Sequence, residues 1–74
     1  MNLLESCVNE KCRVLSIDLD DTLKEHLCAM GLCTNATLCV KRYGLFKSSV
    51  QVQIGERLIA LGKSQARSIE IRVA

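Results

Sequence analysis

Short runs in which apolar and polar residues alternate recur along this chain, and they constrain its fold more than any other feature. A period of two is the signature of strands with one buried and one solvated face. Ala36, Leu38 and Val40 alternate with Thr37, Cys39 and Lys41. Val50, Val52 and Ile54 alternate with Gln51 and Gln53, and Ile69, Ile71 and Val73 with Glu70 and Arg72. Cys12–Asp18 is a further β-rich run, in which Leu15 and Ile17 are expected on one face and Val14 and Ser16 on the other. Leu58-Ile-Ala-Leu61 is an apolar run ended by Gly62. Gly55-Glu-Arg57 reads as the turn of a hairpin, and Gly44 opens a loop through Ser49. Ser64 is placed as the cap of one short helical turn, Ser64–Arg67.

Only one segment carries helical spacing. Leu23, Leu27 and Met30 recur at four- and three-residue steps, so they share a helical face. Thr22 followed by Glu25 fits a capping box. Asp20 and Asp21 place negative charge at the positive end of the helix dipole. Gly31 fits the left-handed position just past the helix end, with Leu32 packing back on Leu27 as in a Schellman motif. The expected helix runs from about Leu23 to Met30.

The chain has 74 residues, enough for a single domain, 1–74, with a small core. Five short strands in so small a sheet leave costly edges, and closure removes them. The expected fold is mainly β: a small SH3-like five-stranded barrel, one short helix after the first strand covering an end, and a short helical turn near the C-terminus.

Size and composition exclude several functions. The core is too small to wall off a deep catalytic cleft. Tyr43 and Phe46 are the only aromatics, too few to line a proline-rich-peptide groove or stack single-stranded bases. Ten Lys and Arg against eight Asp and Glu give a net charge of +2, without the excess that nucleic acid or an anionic membrane demands. No apolar run is long enough to cross a membrane, so no membrane insertion is expected. Five cysteines, Cys7, Cys12, Cys28, Cys33 and Cys39, are an odd count, and the N-terminus lacks a signal-peptide pattern. A cytoplasmic protein with reduced thiols is expected.

In order and spacing, these pieces are similar to a known family. Leu27-Cys-Ala-Met-Gly-Leu32 resembles the helix-end signature, Leu-x-x-Leu-Gly-Leu, of ferrous iron transport protein A (FeoA). Leu38–Val40 and Val50–Val52 stand where that family has central strands, and Leu58–Leu61, Ala66 and Ile69–Ile71 resemble its closing segment. Thr34-Asn35 replaces the family's usual Pro-Gly turn, and Asn35 tolerates the left-handed backbone such a turn needs. The mid-chain loop is Gly44-Leu-Phe-Lys-Ser-Ser49 in place of Gly-Asp-Pro. The resemblance implies a non-enzymatic accessory protein. Its implied partner is the cytosolic portion of FeoB, a large membrane-embedded, GTP-hydrolysing ferrous iron transporter. The alternative is a small-barrel regulatory module that binds metal or nucleic acid.

The candidate sites follow. Leu45 and Phe46, between Gly44 and Lys47, are candidate partner-binding residues, with a barrel-mouth plug as the competing reading for Phe46. Leu27 and Met30 at the helix end and Val73 near the C-terminus are further contact candidates, although most of Leu27 is expected in the core. His26 and Cys28 do not share a helical face, no glycine loop cradles phosphate, and neither catalysis nor a cofactor is expected. His26, Cys28 and Cys33 cluster near the helix end and are the candidate metal ligands, against which stands Cys28 as a small core-facing hydrophobe. Asp18, Asp20, Asp21 and Glu25 are explained by helix capping. Weak self-association is left open.

Overall fold

A computed structural model describes all residues, 1–74. The elements are β1 (Lys11–Ile17), α1 (Asp21–Ala29), β2 (Thr37–Tyr43), β3 (Ser49–Ile54), β4 (Arg57–Gly62), α2 (Lys63–Arg67) and β5 (Ile69–Val73), with 3₁₀ turns at Leu3–Glu5 and Leu45–Lys47. The strands form one antiparallel sheet in the order β4-β3-β2-β1-β5. The expected mainly-β, five-stranded architecture with its helix after the first strand is present.

The barrel is not closed. β4 and β5 are the two edges, and the chain passes between them through α2, whose Ala66 is fully buried. The outer side of β5 is met by the N-terminal segment: the Ile71 amide donates to the Met1 carbonyl at 2.8 Å, and Asn2 bridges to Glu70. Leu3, fully buried, comes in from the same segment. A helix and a short extended stretch thus do the work that a β4–β5 ladder would do in a closed barrel. The helix between the sheet edges is α2, the short helical segment expected near the C-terminus. α1 buries only Leu27.

Two bulges bend the sheet. On β1, Val14 pairs with Ile71 and Ser16 with Glu70, so Leu15 is an extra residue. Cys12, Val14 and Ile17 therefore point inward, while Leu15 and Ser16 are exposed. The expected pairing of Leu15 with Ile17 on one face fails for that reason. On β2, Val40 pairs with Val52 and Arg42 with Gln51, which leaves Lys41 as the extra residue. β3 and β4 pair without interruption from Ser49–Gly62 to Ile54–Arg57, through a two-residue turn with Gly55 at φ +61°. In β4 only Ile59 and Leu61 turn inward.

The helix ends show how local chemistry was resolved. Asp20, not Thr22, caps α1: its carboxylate accepts the Leu23 amide at 2.8 Å. The helix begins two residues earlier than expected because Asp20 competes better for those free amides than Thr22. The C-terminal Schellman motif forms as expected, with Leu32 donating to the Leu27 carbonyl and Gly31 to that of Cys28, both at 2.9 Å. Gly31 sits at φ +101° and Asn35 at φ +73°. α2 starts directly after Gly62, whose amide donates to Gln65 Oε1 at 3.2 Å, so Ser64 lies inside the helix and not at its cap.

Candidate functional site

The Leu45–Lys47 turn is where the structure departs most from economy. Phe46 is 87% exposed and Leu45 78% exposed. The plug reading for Phe46 is therefore excluded. Phe46 and Lys47 both hold left-handed backbone, at φ +55° and +56°. Each such residue costs about 1–2 kcal/mol in a side-chain-bearing position. The loop is nevertheless tightly held. Gly44 donates to Ser49 at 2.8 Å, Lys47 to Gly44 at 2.9 Å, and Ser48 to Leu45 at 3.0 Å, all through backbone groups.

Its anchor is Lys47. The ammonium donates to the Leu4 carbonyl at 3.0 Å and lies 4.7 Å from the centre of the Tyr43 ring. Tyr43 in turn donates its hydroxyl to the Ser6 carbonyl at 2.5 Å and lies 3.2 Å from both the Leu3 carbonyl and Ser6 Oγ. The loop is thereby strapped to the N-terminal turn by its cation, while its two apolar side chains are left in water. The exposed Leu-Phe beside a cation is as the loop's sequence suggests, but the cation is occupied by the Leu4 carbonyl and the Tyr43 ring. Sequence gave no sign that Tyr43 and Lys47 converge on residues 3–6.

The remaining candidates do not join this loop. Leu27 is only 3% exposed and belongs to the core, so it is withdrawn as a contact residue. Met30 is half-buried at the end of α1, beside Gly31, which approaches Ile54. Val73 is 54% exposed and pairs with Cys12, which pairs with Leu38. Val73 and Met30 therefore lie toward the end of the sheet where Ile54 ends β3. Leu45 and Phe46 precede Ser49 at the other end.

The metal candidates separate too. No group of three or more His, Cys, Asp and Glu side chains is arranged to hold a metal ion, and His26 is exposed on α1. Cys28 and Cys33 do come together. Both line a groove of about 380 Å³ with Ile17, Asp21, Lys24, Glu25 and Thr34. Cys28 is exposed, because Leu27 takes the inward position of that helical turn, and the core-facing reading of Cys28 is overturned. The Cys33 thiol is pushed up, chiefly by its hydrogen bond with Cys28, then by partial burial and by charge on Cys28. The buried Cys12 thiol is also pushed up, first by burial and then by Glu10, Cys39 and Cys7. All five cysteines are free thiols.

Comparison with known proteins decides the family. Residues 1–73 match the FeoA domain. The chain belongs to the FeoA domain family. Among solved structures, FeoA from Chlorobium tepidum is 22% identical with a TM-score of 0.91, over 99% of this chain and 70% of that one. Iron(II) transport protein A from Clostridium thermocellum is 24% identical with a TM-score of 0.89, over 100% of this chain and 46% of that one. The same fold occurs in a manganese-dependent transcriptional repressor, at 21% identity and a TM-score of 0.82, where it spans 41% of the repressor chain. A search of curated proteins finds no match. No helix of this FeoA-family chain is long and apolar enough to cross a membrane.

Proposed function

We propose that this FeoA-family chain is an accessory module of ferrous iron uptake that docks on the cytosolic portion of a FeoB-type transporter and modulates it. The observation that carries the reading is the Leu45–Phe46 tip. A small domain with few large side chains holds its only Phe in water, on strained backbone fixed by its neighbours. Exposed aromatic and aliphatic anchors on a rigid scaffold are what a partner's pocket selects. The module brings no chemistry of its own, and GTP hydrolysis belongs to the partner. Val73 and Met30, toward the opposite end of the sheet, serve at most a separate contact.

The test is binding of the purified, reduced chain to the cytosolic portion of its host's FeoB at low and high salt. Binding retained at both salts and weakened tenfold or more by Phe46→Ala (about 1.4 kcal/mol) supports the proposal. Equal binding by wild type and variant removes the loop from it, and no binding by either removes the partner.

The likeness to a manganese-dependent repressor favours one other reading, a metal-responsive regulatory module. It requires Mn²⁺ or Fe²⁺ to bind the isolated chain and shift its thermal midpoint.

A further inference from the structure

The groove beside α1 brings two sulfur side chains together at the surface. The Schellman turn is what brings them there: it folds the chain back over the last turn of α1, so residue 33 returns alongside residue 28. Both thiols line this one groove, and Cys33 Sγ lies 3.9 Å from the Gly31 carbonyl of the same turn. They differ in access, Cys28 being exposed and Cys33 partly covered. Lys24, one turn before Cys28, lines the same groove, as do Asp21 and Glu25, so charges of both signs border it.

We propose that Cys28 and Cys33 form a reversible dithiol–disulfide pair that reacts with low-molecular-weight disulfides, Cys28 attacking and Cys33 resolving. In the first step the Cys28 thiolate attacks one sulfur of RS–SR, forming a Cys28–SR mixed disulfide and releasing RS⁻. In the second the Cys33 thiol, losing its proton to solvent, attacks the Cys28 sulfur and expels the second RS⁻. The two protons end on the two released thiols. The protein is oxidised by two electrons, and RS–SR is reduced to two RSH. The bond ties the turn at Gly31 to a nine-residue helix that otherwise has one buried side chain, so oxidation stiffens a lightly anchored element of the fold. The other thiols are placed differently: Cys12 is fully buried, and Cys7 and Cys39 flank it away from the groove.

The experiment treats the folded chain with oxidised glutathione, alkylates remaining thiols, and maps the tryptic peptide Glu25–Lys41, which contains Cys28, Cys33 and Cys39. The expected result is loss of two hydrogens with a Cys28–Cys33 link, unchanged in Cys39→Ser. In Cys33→Ser one glutathione should instead accumulate on Cys28. The link should form faster in the folded chain than in urea. A wild-type peptide that stays reduced, carries glutathione on both thiols, or links Cys39 would overturn the proposal, as would equal rates in folded and unfolded chains.

Discussion

Replacing Phe46 with glycine should leave this protein as stable as before, an unusual expectation for the removal of a phenyl ring. A Phe side chain buries on the order of 200 Å² when fully enclosed. At 87% exposure only about an eighth of that, roughly 25 Å², is covered here, worth about 0.6 kcal/mol at ~25 cal/mol per Å². Glycine adds freedom to the unfolded chain, which costs a further ~0.5–1 kcal/mol. Against these losses, the left-handed backbone at φ +55° no longer strains a β-carbon, a gain of about 1–2 kcal/mol. The three contributions nearly cancel, and the net change should lie within about 1 kcal/mol of zero. For a domain of this size that is a midpoint shift of no more than ~4–8 °C in either direction. Thermal unfolding followed by circular dichroism, with urea titration as a check, reads it directly. A core position would behave differently: losing a packed Phe costs roughly 3–5 kcal/mol. A destabilisation above ~2 kcal/mol would show that the ring packs against the fold and would refute the argument that Phe46 is displayed for a partner.

Three further outcomes are expected. Tyr43→Phe removes the donor to the Ser6 carbonyl and should cost ~1–3 kcal/mol by urea titration; a change below ~0.5 kcal/mol would mean the N-terminal strap is not held through this hydroxyl. Gly31→Ala places a β-carbon on a residue at φ +101°, 3.4 Å from Ile54 Cγ2, and should cost at least ~1 kcal/mol with an unchanged urea slope. Because the Cys12 thiol is pushed up from 9.0 in the folded state, its contribution to stability is fully present below that pH and is lost as pH rises through the folded value. Stability should thus fall above about pH 9, and the slope there should flatten in Cys12→Ala; an unaltered slope would assign the loss to other groups.

Much of the fold can be read from residues whose role is local. Gly31 announces the Schellman turn, Gly55 the hairpin, and Val50 and Val52 the inward face of β3, because each depends on chain neighbours alone. The failures share a different cause. The bulge at Leu15 depends on where β5 pairs, which no local pattern reveals. Asp20 and Thr22 are both residues that cap helices, and Glu25 at capping-box spacing points to Thr22, although Asp20 is the one that accepts the Leu23 amide. Leu3 looks like an unremarkable N-terminal residue until β5 and α2 are in place to bury it. The candidate site divides in the same way. Loop position made Leu45 and Phe46 visible, and closeness in sequence made Cys28 and Cys33 a pair. The Lys47–Tyr43–Ser6 strap spans some forty residues of chain and left no trace in spacing.

The surplus residues at Leu15 and Lys41 have a consequence for how such a chain can change over time. Striking out Leu15 would leave Cys12, Val14 and Ile17 in strict alternation, still facing inward, in a strand one residue shorter. The inward face would survive; the bend would not. Curvature in this protein is therefore written as chain length inside the strands, and a single-codon deletion there would be felt first as a straighter sheet, with edges too far apart for a helix of five residues to span.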